Sequence, residues 1–178
     1  AAPAAAARHP APTPLRRAAD LSAGLGRDVL LKLECLQRTG SFKVRGAAAR
    51  LESLTPAERA AGVVACSSGN HGRAVAWVAG RLGIPATIFV PEWVDPVKLA
   101  GITAAGAAAR REGESFDDAE ASALAYARDV GATYVSAYDD PHVIAGQGTI
   151  AFEIADALGG PPAEVVAPLS GGWLIGGI

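Results

Sequence analysis

Lysine is scarce in this chain: its 178 residues hold only Lys32, Lys43 and Lys98, and arginine supplies the rest of the positive charge. A lysine here is not surface filler. The two cysteines, Cys35 and Cys66, lie in apolar stretches without CxxC spacing, which points to a reduced, cytosolic setting with each as a small buried hydrophobe. The histidines His9, His71 and His142 are too scattered for HExxH or for zinc-ligand spacing, so no metal site is expected. A GxxxxGK[ST] loop is missing, which argues against a P-loop nucleotidase. No apolar run approaches the roughly 20 residues of a membrane span. With a net charge of -2 and both signs interspersed, there is no basic stripe for nucleic acid and no cationic face for a membrane surface. A small neutral or anionic ligand fits better.

What is present describes a globular, enzyme-like chain: 50% hydrophobic and 19% charged residues, with 21 glycines and 12 prolines. The length allows one large domain or two small ones, burying roughly 70% of the extended-chain surface. Residues 1–12, rich in alanine and proline, read as a disordered tail without the basic start and apolar run of a signal peptide. From Val29 onward, short β-branched runs alternate with Ala-rich segments of helical period. Strands are expected at 29–33, 63–66, 86–90, 107–111 and 133–136. Helices are expected at 43–54, 72–82 closed by Gly83, 96–105 opened by Pro96, and 116–130 closed by Gly131. A long helix follows Pro141 to about Leu158, then an apolar strand at 165–169. The rhythm predicts an α/β fold with open parallel sheets and helices on both faces, in which ligands gather at strand carboxyl ends. A glycine-rich turn, Ser170-Gly171-Gly172, closes the sequence, and too few residues follow it for the helix that such a turn commonly opens. A chain cut inside its next domain is the expectation.

Two segments carry most of the chemistry. Ser41-Phe42-Lys43-Val44-Arg45-Gly46 places an amine where a polar turn feeds an Ala-rich helix, and burial at such a junction lowers an amine's pKa and frees its lone pair for a carbonyl. A solvated lysine in a first helical turn is the bland reading. Ser67-Ser68-Gly69-Asn70-His71-Gly72 sits between a strand end and a helix start, so N–H groups and short side chains converge on a space that suits a carboxylate. An ordinary Ser/Asn helix cap is the alternative there. Gly146-Gln147-Gly148-Thr149-Ile150-Ala151 matches GxGxxA but follows helix-like residues, so small-residue helix packing is favoured over dinucleotide binding. Glu114, Asp117, Asp118 and Glu120 read as helix capping. Ser41 misses the SxxK spacing of penicillin-binding enzymes.

These two segments, together with Pro141-His142-Val143-Ile144-Ala145-Gly146-Gln147-Gly148-Thr149 and Leu169-Ser170-Gly171-Gly172, resemble the serine/threonine dehydratase group of fold-type-II pyridoxal-phosphate enzymes. That group includes serine racemase and hydroxyectoine-utilisation dehydratases. The resemblance covers residues 13 to 178. It implies pyridoxal 5'-phosphate as cofactor, held as a Schiff base by Lys43, which then serves as the base for the α-proton. Phe42 would pack on the cofactor ring and Asn70 lie near its ring hydroxyl. Ser67, Ser68, Gly69, Asn70 and His71 would bind the substrate carboxylate, with Ser68 the residue that serves on the opposite substrate face in racemases. Ser170, Gly171 and Gly172 would hold the phosphate. The implied reaction is dehydration and deamination of a 3-hydroxy amino acid, such as L-threonine or L-serine, to a 2-oxo acid and ammonia. A racemase on the same scaffold, or a truncated member that only binds, are the alternatives.

The resemblance further implies a smaller domain at residues 52–140, flanked by 13–51 and 141–178 from a larger, incomplete cofactor domain, and self-association of the full-length protein. One departure stands out. Trp173 occupies the place of a fourth glycine in the phosphate turn, setting a side chain against the backbone approach that glycine permits. The group that faces the pyridine nitrogen in the family lies beyond the residues seen here.

Overall fold

A computed structural model of the chain describes residues 10–178. Strands β1 (Leu15–Arg17) and β2 (Leu30–Lys32) pair antiparallel, with helix α1 (Ala19–Leu25) between them. A 3-10 turn (Glu34–Leu36) leads to α2 (Lys43–Glu52) and α3 (Pro56–Ala61). Then β3 (Val63–Cys66), α4 (Asn70–Leu82), β4 (Ala86–Val90), α5 (Pro96–Thr103), β5 (Ala108–Arg111), α6 (Phe116–Val130) and β6 (Thr133–Tyr134) alternate. Helices α7 (Pro141–Gln147), α8 (Thr149–Leu158) and α9 (Trp173–Gly177) complete the chain.

The second sheet is four-stranded and parallel in the order β5-β4-β3-β6, and its register pairs Val63 with Ala86 and Thr133. Alternation along β3 and β4 explains why helices cover both faces. Val63, Ala65, Ile88 and Val90 share a core with α2 and α4, whereas Val64, Cys66 and Phe89 pack against Ala119, Ala123 and Ala127 of α6. The expected α/β class is therefore the observed one. Both glycine stops hold, with Gly83 and Gly131 in the left-handed conformation as C-caps. Ser115 and Asp118 form a capping box at the start of α6 and Asp117 lies in its first turn, as expected of that pair, whereas Glu120 accepts from the Tyr134 hydroxyl at 2.7 Å.

Several expectations need correction. Val165–Leu169 is not a strand: it has no neighbour to pair with among the described residues, and Val166 is 87% exposed. An apolar run without a ladder partner has no reason to extend. The turn after it does open a helix, α9, one short turn that five residues suffice to make. The long helix from Pro141 is two helices, broken at Gly148. α3, with its Thr55–Glu58 capping box, was not foreseen, and neither were β1 and α1. Cys35 is exposed and only Cys66 is buried. Residues 1–9 of the expected tail lie outside the described residues, but 10–12 do not trail: Pro10 is buried and Ala11 N–H donates to Gln37 Oε1 at 3.1 Å.

One core cluster contains Val44, Ala47 and Leu51 from α2, Val63 and Ile88 from the sheet, and Val143 from α7, so packing runs across both expected boundaries of the 52–140 segment. Among the described residues no helix is long and apolar enough to cross a membrane.

The Gly146-Gln147-Gly148 segment packs helices, as its sequence context indicates. A Cβ on Gly146 would stand 2.6 Å from Arg45 O and 2.7 Å from Gly46 Cα, in the crossing of α7 with α2. Overpacking of that kind costs typically about 1–3 kcal/mol. Gly146→Ala is expected to lower the urea midpoint of unfolding accordingly, and an unchanged midpoint would show that the crossing gives way freely.

Candidate active site

Lys43 is the first residue of α2, half-buried, with no side-chain cap on Phe42 before it. Burial pulls its amine down to about 8, so a useful fraction is neutral near pH 7. The Ser-Gly-Asn loop follows β3 at the carboxyl edge of the sheet and opens α4. Ser67 N–H donates to Phe89 O at 3.1 Å, and Ser67 Oγ accepts from Gly69 N–H at 3.1 Å, which folds the loop tightly. Gly72 is fixed by the same tightness, because a Cβ there would overlap Ser67 O. Ser67 and Ser68 are partly exposed, and Gly69 and Asn70 are exposed. This leaves the donors at the start of α4 open to a ligand.

His71 points inward, 3% exposed. Its Nε2–H donates to Val135 O at 3.0 Å, which leaves Nδ1 buried without a partner. Burial, countered by the Val135 bond and reinforced by the Lys43 charge, lowers its pKa to about 4, so His71 is neutral near pH 7. Lys43 opens α2 and the loop opens α4, and the two helices pack against each other. α2 and α4 share the core that holds them there.

The terminal turn joins the same place through one side chain. Gly172 has φ 88°, a conformation that only glycine takes readily, and turns the chain into α9 at Trp173. The Trp173 ring centroid lies 3.5 Å from Lys43 Nζ, while Phe42 is 5.4 Å from it. Tyr138 meets the indole edge-on at 5.0 Å and Phe116 at 6.2 Å. Lys43, the loop and the glycine turn are therefore brought together, with an aromatic row alongside.

Does this arrangement suit a phosphorylated aldehyde? The donor set does: a desolvated amine, exposed N–H groups at a helix start, and a Ser-Gly-Gly turn ahead of another helix. Thr39 Oγ1 and Ser41 Oγ, in the turn before Lys43, are buried without hydrogen-bond partners, as is His71 Nδ1; a polar ligand supplies what such atoms lack. One side chain stands against it. A Cβ on Gly171 would overlap the six-membered ring of Trp173, so the indole fills the space beside the turn. The backbone and amine fit the group, and the indole has to move for it.

Sequence reasoning missed the support behind the lysine. Arg45, two residues on and 1% exposed, holds Glu34 through Nε at 2.8 Å and Nη2 at 2.8 Å, and Glu153 through Nη1 at 2.6 Å and Nη2 at 2.9 Å. It also donates to Thr149 Oγ1 at 3.0 Å. Burial alone would lower the guanidinium's pKa, but the bonds to the two carboxylates raise it. Lys32 Nζ also pairs with Glu153. An arginine inside an Ala-rich helix was the only available signal, and it named no partner.

A family model described as "Pyridoxal-phosphate dependent enzyme" matches residues 6–178. Over 167 residues the chain is 46% identical to the L-threonine ammonia-lyase of Thermotoga maritima, covering 93% of this chain and 41% of that protein. Among solved structures, the processed form of threonine deaminase isoform 2 from Solanum lycopersicum superposes with a TM-score of 0.90 at 35% identity, covering 97% of this chain and 47% of that one. Maize serine racemase superposes with a TM-score of 0.92 at 31% identity, covering 99% and 53%. The chain spans about half the length of the curated relatives it matches.

Proposed function

The chain belongs to the pyridoxal-phosphate dependent enzymes, and from that premise we propose that the protein carrying it eliminates the β-hydroxyl of a 3-hydroxy amino acid, L-threonine or L-serine, giving a 2-oxo acid and ammonia. Similarity to threonine ammonia-lyases and deaminases supports this reading. The observation that carries it is the half-buried Lys43 amine, pulled down to about 8 beside an exposed Ser-Gly-Asn loop.

The cofactor, when bound, supplies a conjugated ring that takes up the electron pair left at the α-carbon. The chain's own residues do the rest. Lys43 would hold the cofactor and, once freed, would accept the substrate's α-proton at Nζ. N–H groups of Ser68, Asn70 and His71 would hold the substrate carboxylate, and Gly69, whose own N–H is held by Ser67 Oγ, would lie along it. Ser170, Gly171 and Gly172 would hold the phosphate, and Phe42 would pack on the ring. Holding anions at both ends would fix the substrate's orientation, and so which α-bond breaks. Elimination releases one water and hydrolysis of the product consumes one, leaving 2-oxo acid and ammonia. In this reading residues 52–140 form the smaller of two domains and the site lies in the cleft between them.

Serine racemase is the second reading, supported by the maize structure and by a serine at position 68. L-threonine and L-serine given to the full-length protein with cofactor are expected to yield 2-oxo acid at rates well above any D-serine. D-serine as the main product would replace the lyase by the racemase. No product from either substrate would leave a binding module.

A further inference from the structure

We propose that the Trp173 indole is a displaceable cover on the Lys43 amine, holding the cofactor's place and leaving the turn when pyridoxal phosphate loads. This rests on the lyase reading and concerns how the site fills, not what it catalyses. The indole belongs to a buried cluster with Ile150 and Leu174, and three further contacts set it over the site. Its ring centroid is 3.5 Å from Nζ, within the range at which an ammonium is drawn to an aromatic face. Its six-membered ring presses on Gly171, where even a Cβ would not fit. The edge of Tyr138 closes on it at 5.0 Å.

The consequence is that one side chain denies a ligand two things together: the nucleophilic amine and the open face of the glycine turn. A smaller residue following Gly172 would leave both exposed. Trp173 itself is 8% exposed, so its seat is well filled. Nothing rigid locks it there from the solvent side. Tyr138 is 45% exposed, and the segment that delivers the turn has no regular secondary structure, with Leu169 73% exposed and Ser170 and Gly171 exposed. Uncovering the amine takes rotation about the Trp173 side chain with a shift of this segment, and gives up the indole's place in the buried cluster with Ile150 and Leu174.

The full-length protein and its Trp173→Gly and Trp173→Phe variants would be titrated with pyridoxal phosphate and, separately, with pyridoxal, which carries the aldehyde but no phosphate. The Lys43 amine condenses with the aldehyde, losing one water as the carbon–nitrogen double bond forms. Borohydride then delivers hydride to that carbon and solvent a proton to nitrogen, leaving a stable secondary amine that mass mapping assigns to Lys43.

Trp173→Gly is expected to bind both aldehydes at least about tenfold more tightly than the parent, the scale of a partly desolvated cation–π contact, with Trp173→Phe between them. Equal affinities and labelling rates in all three proteins overturn the proposal. So does a gain for pyridoxal phosphate alone, which would put the obstacle at the phosphate turn and not on the amine. Labelling of Lys43 in none of them would sink the lyase reading itself. Should Trp173→Gly not fold, Trp173→Phe carries the test alone, and affinities and labelling rates equal to the parent's overturn the proposal.

Discussion

Lys43→Ala is expected to lose lysine-dependent cofactor absorbance entirely and to cut 2-oxo acid formation by more than the roughly 10²–10⁴-fold that a positioned base alone contributes. On the proposed function two roles would disappear with one amine: the anchor for the aldehyde and the acceptor of the α-proton. The fold should tolerate the change. Lys43 is half-buried at the first position of α2, where a positive charge opposes the helix dipole, so removing it leaves stability within about 1 kcal/mol. In the unsubstituted protein, attack on an aldehyde needs the neutral amine. Burial lowers the amine's pKa to about 8, so Lys43 labelling rises as pH climbs through that value, far below the range where an exposed lysine responds. Absorbance titration, labelling against pH and keto-acid assay check the set, and an alanine variant that keeps both colour and turnover would remove Lys43 from the mechanism.

Arg45→Ala should cost about 3–5 kcal/mol of stability, the scale of removing one partner from a buried ion pair. The guanidinium is the fork that joins Glu34 to Glu153, and without it two carboxylates are left facing each other away from full solvent. Arg45→Lys keeps the charge but not the four-way geometry, so it should lose less than alanine yet still fall short of the parent. The network also sets an acid limit. Burial would raise the Glu153 pKa, but its bonds to Arg45 and Lys32 lower it below the ordinary carboxylate value. A depressed folded-state pKa contributes stability that is present above the unfolded value and lost as pH falls through the folded one. Urea unfolding at neutral and acid pH measures both effects. Because Arg45 sits in the same helix as Lys43, its loss should also loosen the helix start that presents the amine. An Arg45→Ala protein as stable as the parent would mean that the network breaks even against its own desolvation.

The strand–helix alternation was legible because each element records its own environment. In β3 and β4 nearly every residue is apolar, as a strand covered on both faces requires, and in α4 and α6 a small-residue stripe marks the face against the sheet. Their glycine stops are equally local. The Val165–Leu169 run misled for the same reason, since apolar composition says that a strand is affordable but not that a neighbour exists to pair with it. β1, α1 and α3 were missed because a three-residue strand and helices of seven and six residues carry too little periodicity to register. Gly146 was readable in kind, as helix packing, but its partner Gly46 was not.

By itself the sequence determined the α/β class, the family that its motifs resemble, and the lysine and loop as candidates for one site, because those features depend on residues within a few positions of one another. Only the tertiary structure decided that Arg45 would bridge to a glutamate 108 positions away, and that a tryptophan at the far end of the chain would lie on the amine. Packing makes such pairings, and no local period encodes which distant side chain fills a given space.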